Sequence, residues 1–253
     1  MLKRGLVVVF LLTILAGWSS VEAQIVKDGL VGYWSLDKSA VEGKKVKDLV
    51  GANDGEIKGD PKSVGGKLGE ALEFDGVDDH VVIPNNDALN FGTGDFTVCV
   101  WVKTTAVTGR WAQRHDIVGK GDPSISGYAI SADSNKGFFW VGGAGEFSGT
   151  TEINDGEWHY IVGVRKSSEC FIYVDGKQEG KGTNSENVDT ALNLIFAKHP
   201  LKNESYFKGS IDEVAIYNRA LSEDEILKNY EAKAAAVEPS GKLAVTWGEV
   251  KSR

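Results

Sequence analysis

Apolar residues in this chain come in short runs separated by turns rich in glycine, aspartate and asparagine. Runs at 30–36, 71–74, 80–83 and 96–102 predict strands, as do shorter ones at 116–120, 128–131 and 137–141. Segments 158–165 and 171–174 predict a hairpin around Lys166-Ser167-Ser168-Glu169, and Asp175-Gly176 turns the chain into a further strand. Runs at 192–197 and 206–217 complete the set. Phe96-Thr97-Val98-Cys99-Val100-Trp101-Val102 is apolar at both parities, which suits a central strand covered on both faces. No period of about 20–50 residues recurs, which argues against a solenoid or propeller. The pattern predicts an all-β chain of two β layers, a sandwich or barrel.

The period changes after Leu221. Ile211, Val214, Ile216 and Tyr217 follow a strand-like pattern, whereas Ser222 with Glu225 three residues on forms a capping box. Ile226, Leu227 and Tyr230 then give a short helix its apolar side, and the helical pattern ends near Ala236. Pro239 and Gly241 stop it, leaving 237–253 as a tail.

Composition narrows the classes. The 253 residues carry a net charge of −8. An acidic surface disfavours nucleic acid and anionic membranes. Lys3 and Arg4, an apolar run at 6–16 and Val21-Glu22-Ala23 resemble a secretion signal cleaved after Ala23. That run is short for a membrane span, although a retained N-terminal anchor is the other reading. Residues 24–236 then form the domain, expected outside the cell or at its surface. Cys99 and Cys170 show neither metal-type nor redox-type spacing. Export permits a disulfide between them, and two buried free thiols are the alternative. Asn203-Glu204-Ser205 is a glycosylation sequon, to be expected on a solvated loop.

Several motifs occur in order. They are Tyr33-Trp34-Ser35-Leu36-Asp37, Gly69 to Val81 around Phe74-Asp75-Gly76-Val77-Asp78-Asp79, and Phe96 to Lys103. Asp155-Gly156-Glu157-Trp158-His159-Tyr160, Phe171 to Gly176 and Ile211 to Leu221 follow. Together, over residues 28–232, they resemble the LamG-like (laminin G, concanavalin A-like, pentraxin-related) jelly rolls. The resemblance implies two stacked antiparallel sheets with neighbouring first and last strands. Trp34, Trp101 and Trp158 are expected to fill the space between those sheets. Pentraxins carry a disulfide whose first cysteine sits in a similar Phe-Thr-Val-Cys run, but Cys170 is displaced from where the second would stand.

The resemblance also implies a metal site. Asp48-Leu49-Val50-Gly51-Ala52-Asn53-Asp54-Gly55 is similar to a loop that follows the family's first strand. Calcium prefers hard oxygen ligands, so Asp48, Asn53 and Asp212 are the candidates for Ca2+, with Asp37 and Asp75 in reserve. The other reading is an Asx-rich turn, with Asp212 paired to a basic residue. A ligand face could form where Trp111 and Trp140 supply aromatic platforms and Arg114, Asp122 and Asn135 supply hydrogen bonds. The alternative there is that Trp140 is core and Trp111 covers a loop.

Catalysis has little support in the sequence. Glu152 to Glu157 reads as a turn, Glu223-Asp224-Glu225 as a helix N-terminus, and His159 as a packed or hydrogen-bonded strand residue. The chain lacks the nucleophile elbow, phosphate loop and zinc helix motifs. The expected function is a secreted, non-catalytic binding module for an extracellular glycan or glycoprotein. The rivals are a protein-interaction or adhesion module, and a glycoside hydrolase or polysaccharide lyase on the same scaffold.

Overall fold

The computed structural model describes residues 25–236, apart from 111–112, 123–124 and 144. The signal-like segment, Trp111 and the tail at 237–253 lie outside the described residues. The first strands are β1 (Leu30–Trp34), β2 (Val41–Glu42), β3 (Lys45–Val46), β4 (Gly55–Lys58), β5 (Lys62–Gly65), β6 (Glu70–Asp75) and β7 (His80–Ile83). Next come β8 (Phe96–Lys103), β9 (His115–Asp122), β10 (Ser126–Asp133), β11 (Lys136–Val141) and β12 (Gly145–Glu152). The last are β13 (Trp158–Lys166), β14 (Glu169–Val174), β15 (Lys177–Thr183), β16 (Leu194–Phe196) and β17 (Lys208–Tyr217), followed by helix α1 (Glu223–Ala236).

Two antiparallel sheets face each other. The first has the order β15-β14-β13-β8-β17-β6-β5, with β1 also paired to β17. The second runs β12-β11-β10-β9-β16-β7-β4-β3-β2. First and last strands are therefore neighbours: Trp34 stands opposite Val214 and Leu30 opposite Tyr217. One edge of β17 serves two partners. Lys208 to Ile211 face β6, Val214 to Tyr217 face β1, and the register slips between Asp212 and Ala215 where the exchange occurs.

Strand β8 shows why both parities had to be apolar. Val98, Val100 and Val102 enter the core between the sheets with Trp34, Phe74 and Phe196. Cys99 and Trp101 point the other way, into a second cluster with Tyr160, Tyr217 and Ile226 beneath α1. Trp101 stacks on Tyr230 of the helix at 5.5 Å. Of the three tryptophans, Trp34 alone lies between the sheets; Trp101 and the half-buried Trp158 belong to the outer cluster. The helix begins as the capping box requires: Ser222 N–H donates to Glu225 at 2.9 Å, and Glu225 N–H to the Ser222 hydroxyl at 3.3 Å. Arg219 adds a two-pronged bond to Glu225 at 2.8 and 2.7 Å, which holds that carboxyl down at about 2.

The disulfide is not formed. Both cysteines are free and buried, and they face opposite sides of the same sheet, Cys99 beneath the helix and Cys170 in the inter-sheet core. Cys99 stands opposite Val162 and Cys170 opposite Arg165, with β13 between their strands. Two strand spacings of about 4.8 Å, offset by residues rising about 3.3 Å each, exceed the roughly 7 Å that a bridge can span. Burial pushes the Cys99 thiol up to about 12 and Cys170 to about 11. A thiol reagent at neutral pH is expected to label neither cysteine until denaturant is added, and both thereafter. A protein with no free thiol after unfolding would contradict this assignment.

Candidate functional site

The outer face of the second sheet carries an unusual number of buried polar groups. Cross-strand register places Asp116 opposite Ser131, and Ser131 opposite Phe138. One row along, Gly119, Ala129 and Trp140 are neighbours. Ala129, Phe138 and Trp140 form a small apolar patch of their own. Trp140 is 2% exposed and donates its indole N–H to Ser131 Oγ at 2.6 Å. It is thus a pillar of this face, the alternative foreseen for it, and not an open platform.

Arginines lie over the patch. The Arg114 guanidinium sits 4.8 Å from the Trp140 ring and that of Arg110 5.6 Å from Phe138. Arg114 Nε donates to Asp116 Oδ1 at 3.0 Å, while Arg110 bonds Glu146 at 2.9 Å. Asp116 is 1% exposed, and burial raises its carboxyl above the usual range despite Arg114 and His199. Asp122 adds to that rise by like-charge repulsion. His199 is buried too, and its Nδ1 accepts the N–H groups of Leu201 and Lys202 at 3.1 and 3.2 Å. Burial lowers its pKa, so the ring is neutral near pH 7. The loop after β16 can lie flat here because residue 119 is glycine: a Cβ there would stand 3.0 Å from Pro200.

Arg114 and Asp122 are therefore brought to one electrostatic neighbourhood. Asn135 is spent elsewhere. It sits at positive φ in the β10–β11 turn, accepts Thr108 N–H at 2.8 Å and donates its own N–H to Thr108 Oγ1 at 2.8 Å. It pins the loop leading to Arg114 and makes no direct contribution to the face. Asp116, Ser131 and His199 escaped the sequence reading. The signal that could have found them is a carboxylate and a hydroxyl placed inside apolar strands.

The proposed calcium ligands fall into two networks. Asp48 Oδ1 accepts N–H groups from Tyr33, Val50 and Gly51 at 3.0, 3.1 and 3.0 Å. Its Oδ2 accepts the Asn53 backbone and amide N–H at 3.1 and 2.8 Å. Asn53 also donates to Val31 O, and Leu49 N–H to Tyr33 O. The loop thus covers the free edge of β1, a means of blunting an exposed strand edge. Asp212 instead accepts Lys67 and Leu68 N–H through Oδ2 at 2.8 and 3.1 Å, while its Oδ1 is buried without a partner. Its partners are backbone groups and not a basic side chain. N–H groups fill both Asp48 oxygens, while Asn53 Oδ1, like Asp212 Oδ1, is buried without a partner; Asp48 and Asn53 share one hydrogen-bond network, and Asp212 belongs to another.

The reserve residues are also engaged. Asp37 accepts Glu70 N–H at 2.8 Å. Asp75 lies with Asp78 and Asp79, their carboxylate oxygens within 4.8 Å of one another. Asp75 caps Val77 N–H at 2.8 Å, and Asp79 takes Asp60 N–H at 2.6 Å. His159 bridges Asp175 and Asp155 at 2.8 and 3.1 Å, the hydrogen-bonded strand residue anticipated. No helix among the described residues is long and apolar enough to cross a membrane.

A laminin G family model, described as the concanavalin A-like lectin/glucanases superfamily, matches residues 75–227. The chain belongs to that superfamily. No curated protein matches it. Among solved structures, the binding domain of Paraclostridial Mosquitocidal Protein 1 aligns with a TM-score of 0.65 and 20% identity over 80% of this chain. This chain spans about half, 52%, of that one. Domain 4 of the arabinanase AbnA from Geobacillus stearothermophilus, in complex with arabinotriose, gives 0.63 and 21% over 79% of this chain and 98% of its own. Trypanosoma rangeli sialidase gives 0.61 and 19% over 81% of this chain and 33% of its own. At these identities the likeness is one of fold, and this superfamily member shares it with binding domains and hydrolases alike.

Proposed function

We propose that the protein is an exported, non-catalytic carbohydrate-binding module whose ligand meets the loops above the outer face of the second sheet. The observation that supports this most is the convergence of Arg110 and Arg114 on the Phe138–Trp140 patch, with Asp122 and His199 in the charge neighbourhood of Asp116 beneath Arg114. Sugar hydroxyls both donate and accept, and fixed guanidinium and carboxylate groups serve both roles. Asp116 is buried against Arg114, which suits it to fixing a guanidinium more than to acid catalysis. Export rests on the basic and apolar N-terminal residues. The arabinotriose complex of a domain with this fold favours a glycan ligand over a protein one.

Electrophoresis through gels containing polysaccharides tests this reading. Arg114→Ala is expected to weaken retention by at least about tenfold. Arg114→Lys, which keeps the charge without the planar fork, should fall between it and wild type. Wild-type retention in a folded Arg114→Ala protein would remove the face. Shortening of the polysaccharide by the wild-type chain would replace binding with hydrolase or lyase activity.

A further inference from the structure

We infer that the chain has a second saccharide site, on the outer face of the first sheet. It extends the glycan-binding reading to other residues. Cross-strand register aligns Lys62 with Glu73, Glu73 with Ser210, Ser210 with Lys103, and Lys103 with Trp158. Directly opposite residues share a face, so these five form one row across β5, β6, β17, β8 and β13. Its first four members, Lys62, Glu73, Ser210 and Lys103, line a cleft of about 760 Å³ together with Asp78, Thr105 and Lys208.

The charged ends in the cleft are available. Lys62, Glu73, Lys103 and Lys208 are exposed and enter no ion pair among the described residues. Lys62 and Glu73 face each other in register, yet their charged ends are not within ion-pair distance. The row therefore presents ammonium, carboxylate, hydroxyl and ammonium in sequence, each one strand spacing of about 4.8 Å from the next. That step is close to the length of one sugar ring, so hydroxyls of successive rings can reach successive groups. The half-buried Trp158 closes the row outside the cleft, packed against the outer cluster with Trp101 and Tyr160.

Charge selects the ligand. Five carboxylates and three lysines line the cleft, so a uronate or sulfated chain meets net repulsion. The apolar lining is Phe74, which is buried at 1% exposure and offers a peptide side chain no pocket. The cleft is thus suited to a neutral oligosaccharide lying across the strands.

Calorimetric titration of the full chain with arabinotriose, cellotetraose and a galacturonate trimer tests this, using Glu73→Gln/Lys103→Met and Arg114→Ala variants. Both cleft positions are exposed, so the double variant should fold, and its melting curve checks that. A neutral oligosaccharide is expected to bind the double variant at least about tenfold more weakly than wild type, and the uronate to bind wild type more weakly by a similar factor. If Arg114→Ala also loses affinity, both sites stand. If the double variant alone loses it, the cleft stands and the loop face falls. Wild-type affinity in the double variant, tighter binding of the uronate, or no binding of either neutral sugar would overturn the cleft.

Discussion

Arg165→Met is expected to destabilise the protein by about 2–4 kcal/mol, lowering its melting temperature by on the order of 10 °C. Arg165 is fully buried, and among the described residues no carboxylate lies within ion-pair distance of it. Its guanidinium donates to three backbone carbonyls instead: Gly94 O from Nε at 2.8 Å, Glu186 O from Nη1 at 2.8 Å and Gly92 O from Nη2 at 2.7 Å. It also lies 4.8 Å from the Phe96 ring. One cation thereby ties the connection before β8 to the one before β16. Methionine fills similar space but donates nothing. Gly92 O keeps Val188 N–H as a partner, whereas Gly94 O and Glu186 O have no second donor among the described residues. An unpaired buried carbonyl costs about 1–3 kcal/mol. Arg165→Lys keeps the charge but cannot reproduce the three-pronged geometry, so it should recover a minor part of the loss. Because the group is buried, the deficit should change little with added salt. Equilibrium urea unfolding of the three proteins measures it, and a loss below about 0.5 kcal/mol for Arg165→Met would show that the carbonyls are satisfied without the cation.

What the sequence made legible follows from which interactions are local. The two-sided apolar character of β8, the capping box at Ser222 and the Asp175-Gly176 turn each reside in a few consecutive residues, and each is found in the structure. Strands β2 to β5 span two to four residues and are mostly polar, so periodicity had nothing to register. Polar β12 was missed for the same reason. The cysteines illustrate a deeper limit. Whether Cys99 and Cys170 share a face depends on register through β13, which neither strand encodes. Site residues divide likewise. Arg114 and Asp122 were visible as polar groups beside strands. Lys120 and Arg165 were not, because the groups that satisfy them come from distant loops: Lys120 Nζ, for example, bonds Asn85, Asn90 and Thr190 O. The row from Lys62 to Trp158 could not be read along the chain at all, since it runs across five strands.

Asp212→Asn is expected to stabilise the protein near pH 8.5 and to flatten a decline that the wild type shows with rising pH. Burial, with Glu213 and Asp37 nearby, pushes the Asp212 carboxyl up to about 9. The native state therefore keeps a proton that the unfolded chain releases above about pH 4. The associated stability is fully present below that pH and is lost progressively until the folded group itself ionises near 9. Asparagine leaves an oxygen to accept Lys67 and Leu68 N–H and places amide hydrogens where Oδ1 now has no partner. Glu213 and Asp37, whose charges oppose ionisation of the acid, favour a donor there. The position also explains why Ile211-Asp212-Glu213 interrupts a strand. Here β17 exchanges β6 for β1, with Glu213 at φ +55° and accepting the Tyr33 hydroxyl, while Asp212 holds the Lys67-Leu68 loop. Gly66 permits that contact, since a Cβ would stand 2.7 Å from Asp212 Oδ2. The acid and its neighbour thus fasten both strands that share one edge of β17. Denaturant unfolding of wild type and variant at about pH 5.5, 7 and 8.5 is expected to give curves that diverge by several kcal/mol toward the alkaline end. His159 also loses stability as pH rises, its folded pKa being raised by Asp175, but it is common to both proteins and cancels in the difference. Parallel stability curves would mean that Asp212 is ionised in the native state across the whole range.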